Sequence, residues 1–115
     1  MKIDNFCDPN KQMSRLGKHE WAVSRLITLS KDLKVMSIPI NHLNIYYIYE
    51  NLTLREMIGH MKSVLDADLK HPIILDEDGE VMDGRHRIMK AIIEGKKIIK
   101  AVRFEENPSP CKLIE

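Results

Sequence analysis

The chain has 115 residues, of which 43% are hydrophobic and 30% charged, and its acidic and basic groups nearly cancel at a net charge of +1. That length fits one domain, able to bury roughly two-thirds of its unfolded surface without metal or disulfide support. The balanced charge argues against a dedicated nucleic-acid binder, which carries a basic excess or stripe, and no stretch approaches the ~18 apolar residues of a membrane span.

The two cysteines, Cys7 and Cys111, stand near opposite ends and form no CxxC pair. They are expected to be ordinary thiols of a reducing, cytoplasmic compartment. The start, Met1 to Phe6, shows no apolar core of a secretion signal. Residues 1–18 are polar and read as an irregular N-terminal arm. Ala22, Leu26, Leu29 and Leu33 fall at intervals of three and four, which predicts a helix over 19–32. Val35 to Ile40 alternates and is β-branched, and Pro39 makes it an edge strand. His42 to Tyr49 is either a strand or a packed loop, and Tyr46, Tyr47 and Tyr49 are read as packing residues rather than base-stacking ones.

Thr53 followed by Glu56 is a capping box and starts a helix over 53–66. Its apolar stripe of Leu54, Met57, Ile58, Met61 and Leu65 is expected to face the core. His71-Pro72 ends that region, because the residue before proline avoids the α conformation. Ile73 to Leu75 and Glu80 to Met82 form a hairpin about the turn Asp76 to Gly79. A second helix over 85–94 turns Ile88, Met89, Ile92 and Ile93 inward and ends at Gly95. Ile98 to Phe104 is a last strand, and residues 105–115, with Pro108 and Pro110, read as a loosely held tail. The run Lys96, Lys97, Lys100 and Arg103 is taken as solvent-facing. The fold class is α+β, a single small domain over 19–104 with a mixed sheet and packed helices.

The segment Asp83-Gly84-Arg85-His86-Arg87 joins a strand directly to a helix start. Gly84 permits a tight turn, and the first helical amides point outward with the positive end of the helix dipole behind them. Arg85, Arg87 and a protonated His86 crowd this already positive end, where surface stability alone favours acids. An anion such as phosphate resolves the conflict. The alternative is local: Asp83 caps the helix, Arg87 pairs with Asp83 or Glu80, and His86 is a half-buried spacer. The remaining histidines, His19, His42, His60 and His71, share no metal-ligand spacing.

The stretch His71 to Leu75 and Gly79 to Ala91, with Gly-Glu-Val-Met-Asp-Gly-Arg-His-Arg at its centre, resembles the ParB/sulfiredoxin superfamily. Ile38-Pro39-Ile40 and the capped helix after Leu52 are similar to that family's opening strand and helix, so the likeness covers roughly residues 35–104. The resemblance implies a ParB-like nucleotide-binding domain, in which Gly84, Arg85, His86 and Arg87 hold the phosphates of a nucleoside triphosphate (CTP or ATP) and Asp83 holds Mg²⁺. In sulfiredoxins the turn reads Gly-Gly-Cys-His-Arg, and Arg85 stands here in place of the reactive cysteine, which argues against that activity. In free-serine kinases of the same fold it resembles Asp-Gly-His-His-Arg, so a phosphoryl-transfer or nuclease-type enzyme using Asp83 and His86 stays open, although the kinase's upstream glutamate is not placed in this sequence. A partition protein's helix-turn-helix region has no counterpart here, and DNA binding by this chain alone is expected to be weak. An interaction module with a decayed ligand site, and a homodimer, are the other open readings.

Overall fold

The computed structural model describes residues 13–16, 18–45 and 51–113. Its centre is a four-stranded sheet of β3 (Met36–Pro39), β4 (Ile73–Leu75), β5 (Val81–Asp83) and β6 (Ile98–Arg103) in the order β3-β6-β4-β5. β4 runs parallel to β6 and antiparallel to β5, and β3 is antiparallel to β6. The sheet is therefore mixed, and the chain is an α+β fold. Pro39, which cannot donate to a ladder, lies on the edge strand β3 as its chemistry requires.

The β4–β5 hairpin is closed from within. The carboxylate of buried Asp76 accepts from the backbone N–H of Asp78 at 2.9 Å and of Glu80 at 2.8 Å, and Gly79 takes a φ of +85°. The helix α3 (Arg85–Ile93) follows β5 at once and packs on one sheet face. Its end is a Schellman motif: Gly95 N–H bonds to Ile92 O and Lys96 N–H to Ala91 O, with Gly95 at φ +75°.

Two apolar cores flank the sheet. Ile73, Leu75, Val81, Ile88, Ala91 and Ala101 fill the α3 side. Trp21, Leu26, Ile74, Met82, Val102 and Phe104 fill the other. Alternate residues of each strand serve opposite cores, which is why these strands read as continuous apolar runs.

The second core is covered by elements that differ from those expected of the sequence. The N-terminal arm is not wholly irregular: β1 (Met13–Leu16) pairs with β2 (His19–Ala22), and the buried Ser14 hydroxyl donates to Met82 O. The helix expected over 19–32 is shorter, because β2 occupies its first turn and α1 spans Val23–Leu29. The tail is held rather than loose. A last strand, β7 (Lys112–Leu113), pairs with β2, and Trp21 Nε1 donates to Pro108 O at 2.8 Å. Cys111 is disulfide-bonded, which corrects the expectation of ordinary thiols; Cys7 lies outside the described residues, as do Tyr46, Tyr47 and Tyr49.

The largest departure concerns α2 (Leu54–Asp66). Its capping box forms, with Glu56 N–H donating to Thr53 Oγ1 at 3.2 Å. Its apolar stripe, however, does not enter the core. Leu54, Met57, Ile58, Met61 and Leu65 are all exposed, and Val64 is the one buried residue of the helix. Ile92 and Ile93 of α3 are likewise exposed, while Ile88 and Ala91 carry that helix's burial. No helix among the described residues is long and apolar enough to cross a membrane.

Candidate functional site

β5 ends at Asp83 and α3 begins at Arg85, so a single residue makes the junction. Gly84 serves as N-cap with φ +111° and ψ 18°, a left-handed conformation that side chains with a Cβ rarely adopt. A Cβ at this position would lie 2.5 Å from Ile73 Cγ2 and 2.8 Å from Ile73 Cβ. Glycine is thus required twice, by its dihedral and by the β4 side chain against which it packs. The first intrahelical bond runs from Ile88 N–H to Gly84 O at 3.0 Å. α3 has no side-chain cap and no acidic residue in its first turn. Its positive end is therefore left uncompensated within its own first turn, and Asp83 does not cap it.

The basic residues have separate surroundings. Arg87 Nη2 donates to Asp83 Oδ2 at 2.6 Å and its Nη1 to Pro72 O at 3.0 Å. Of the five guanidinium donors, two are engaged in this way. The expected pairing of Arg87 with Asp83 is thus present, and Glu80 instead accepts from Asn44 Nδ2 at 3.1 Å. Arg85 is half-buried and makes no hydrogen bond or ion pair among the described residues.

His86 faces another helix. Its Nε2 lies 3.0 Å from Nδ1 of His60 on α2, with the rings tilted 42°. Burial is the main cause that holds the His86 pKa below its ordinary value. The neighbouring His60 pushes the same way, Asp83 opposes it, and Arg87 adds to the lowering. A neutral imidazole is therefore favoured near pH 7 and can accept or donate one proton. Nothing in the sequence spacing announced this pair, since the two residues stand 26 positions apart on different helices.

Beside the turn lies a cavity of about 490 Å³, within the range that small ligands occupy. Ile27, Leu33, Ile74 and Val102 give it apolar walls, and Asp83 and Arg87 supply its charged corner. Lys31 and His71 also line it. Among the described residues no group of three or more His, Cys, Asp or Glu side chains is arranged to hold a metal. Mg²⁺ at Asp83 would draw its other ligands from a bound phosphate and water, as that ion commonly does.

Comparison with family models, with curated proteins and with solved structures returns no match.

Proposed function

We propose that the chain is a ParB-like, phosphate-binding domain whose ligand is a nucleotide held at the Asp83–Arg87 turn. One observation carries this reading. The helix α3 presents an uncapped N-terminus directly after a strand, at a glycine that its φ and its contact with Ile73 both require. Such a terminus offers backbone donors and a positive dipole end to an anion. Arg85 adds a cation without a competing partner among the described residues, and Arg87 retains donors beyond those given to Asp83 and Pro72. His86 orients the phosphate, and Asp83 holds Arg87 in place or takes Mg²⁺. The adjacent cavity has room for the rest of the ligand. DNA contact by this chain alone is weak, given its net charge of +1.

A panel of orthophosphate, CTP, ATP and their nucleosides, each with and without Mg²⁺, tests the reading by thermal shift. A ligand at a hundredfold excess over its dissociation constant should add about 2.7 kcal/mol to stability. Stabilisation by phosphate-bearing ligands but not by nucleosides is expected. No shift with any of them rejects the proposal, and release of phosphate from a triphosphate would move it towards the phosphoryl-transfer alternative.

A further inference from the structure

The helix α2 exposes an apolar surface that the described residues leave uncovered. Leu54, Met57, Ile58, Met61 and Leu65 are between 48% and 75% exposed, although they lie on one helical face. The helix is attached to the body along a different line. Val64 is buried, His60 meets His86, and the Lys90 ammonium of α3 donates to Leu65 O at 3.0 Å and Ala67 O at 2.6 Å. At 100° per residue the His60–Val64 line and the centre of the apolar stripe stand roughly a quarter-turn apart. The stripe therefore points away from the core that the helix is anchored to.

The order of the stripe selects its occupant. Leu54, Ile58, Met61 and Leu65 are spaced four, three and four residues apart, the same from either end. A two-fold contact needs this property, because one surface must complement itself. We propose that α2 is a self-association surface, on which two copies of the chain pair as antiparallel helices with Leu54 opposite Leu65 and Ile58 opposite Met61 of the second copy.

The flanking charges agree with that register. Arg55 follows Leu54 by one residue and Asp66 follows Leu65 by one, so both lie on the same flank at opposite ends of the helix. A two-fold axis across antiparallel helices joins like flanks, which brings Arg55 of each copy to Asp66 of the other. The dipoles of the two helices also oppose.

The area sets the strength. At roughly 100 Å² of apolar surface per large aliphatic side chain, the five exposed residues hold on the order of 300 Å². That is the size of the largest apolar patch on a typical monomer, which is often functional. It falls short of the roughly 800 Å² per partner buried in stable complexes. The pair is accordingly reversible on dilution rather than obligate.

Sedimentation velocity on the full chain across the micromolar-to-millimolar range tests this. The wild type should pass from monomer to dimer. Met61→Glu, at the centre of the stripe, should remain monomeric with an unchanged melting temperature, since that side chain is exposed in the monomer. Arg55→Asp and Asp66→Arg should each weaken the dimer by about tenfold, the scale of two like-charge contacts replacing two opposite ones. The double variant, or an equimolar mixture of the two single variants, should restore association, because antiparallel pairing again sets Asp against Arg at each end. A wild type that stays monomeric throughout overturns the proposal. So does a dimer that survives Met61→Glu, or a mixture that fails to recover.

Discussion

Arg87 and Asp83 form an ion pair at 2.6 Å across the first turn of α3, with their side chains only 18% and 13% exposed. The pair ties the helix back to the strand that precedes it, and the second guanidinium nitrogen reaches the Pro72 carbonyl at the start of β4. Arg87 is thus a structural residue at the candidate site. Arg87→Ala should lower the stability of the ligand-free protein by about 1–3 kcal/mol, since it leaves a largely buried carboxylate and a carbonyl without their donor. The effect of Arg87→Ala should shrink in an Asp83→Asn background. Urea denaturation of the four proteins in that cycle measures it, and equal losses in both backgrounds would show that the pair does not couple.

Gly84 should tolerate no side chain. Gly84→Ala places a methyl group within contact distance of Ile73 and forces alanine to a φ of +111°. Strain and overpacking together should destabilise the fold by about 2–5 kcal/mol. Gly59→Ala is the control, because its position has open space and an ordinary helical backbone. That change should be neutral or slightly stabilising. Similar denaturation midpoints for the two variants would remove the special status of the turn.

The His86–His60 contact gives stability a sign with pH. The folded-state pKa of His86 lies below its ordinary value, first through burial and then through His60. The unfolded chain therefore binds the proton at higher pH than the folded chain does. Its contribution is intact above about pH 6.5 and is lost as the pH falls through that value towards the folded pKa. Denaturation midpoints on either side of that pH should fall on acidification, and His86→Gln should flatten the dependence. An identical slope in wild type and variant would contradict the assignment.

The exposed stripe of α2 reverses an expectation about its energetics. The sequence periodicity places Met57 and Ile58 in a core, where truncation to alanine would cost about 2–5 kcal/mol. Both are exposed, so Ile58→Ala should change monomer stability by about 0.5 kcal/mol or less. Val64→Ala, at the buried position, should cost more than twice as much. Guanidinium denaturation at dilute protein decides this, and a large loss at Ile58 would return the stripe to the core.

This reversal marks the limit of what the sequence made legible. The Thr53–Glu56 box, the Asp76–Gly79 turn, the edge position of Pro39 and the Gly95 cap act within a few residues, and each is present where its chemistry predicts. The same holds for the Gly84 junction. Periodicity reveals that a helix has an apolar face but not what covers it, so the stripe of α2 reads as a core face although it is exposed. β1 and β7 leave no clear local signal: both pair with β2, a strand whose Ala22 also fits the start of a helical pattern. The His60–His86 contact and the cavity beside Asp83 depend on tertiary packing and left no local mark.

Phosphate binding at the α3 N-terminus is tested by following backbone amide resonances during titration with orthophosphate. The amides of Gly84, Arg85, His86 and Arg87 should shift together and saturate, and Arg85→Ala should weaken the response by about 1.5–3 kcal/mol, the scale of a hydrogen bond to a charged group. Resonances at the turn that stay fixed while the protein is otherwise intact, or shifts confined to the Lys96–Arg103 run, would contradict the account.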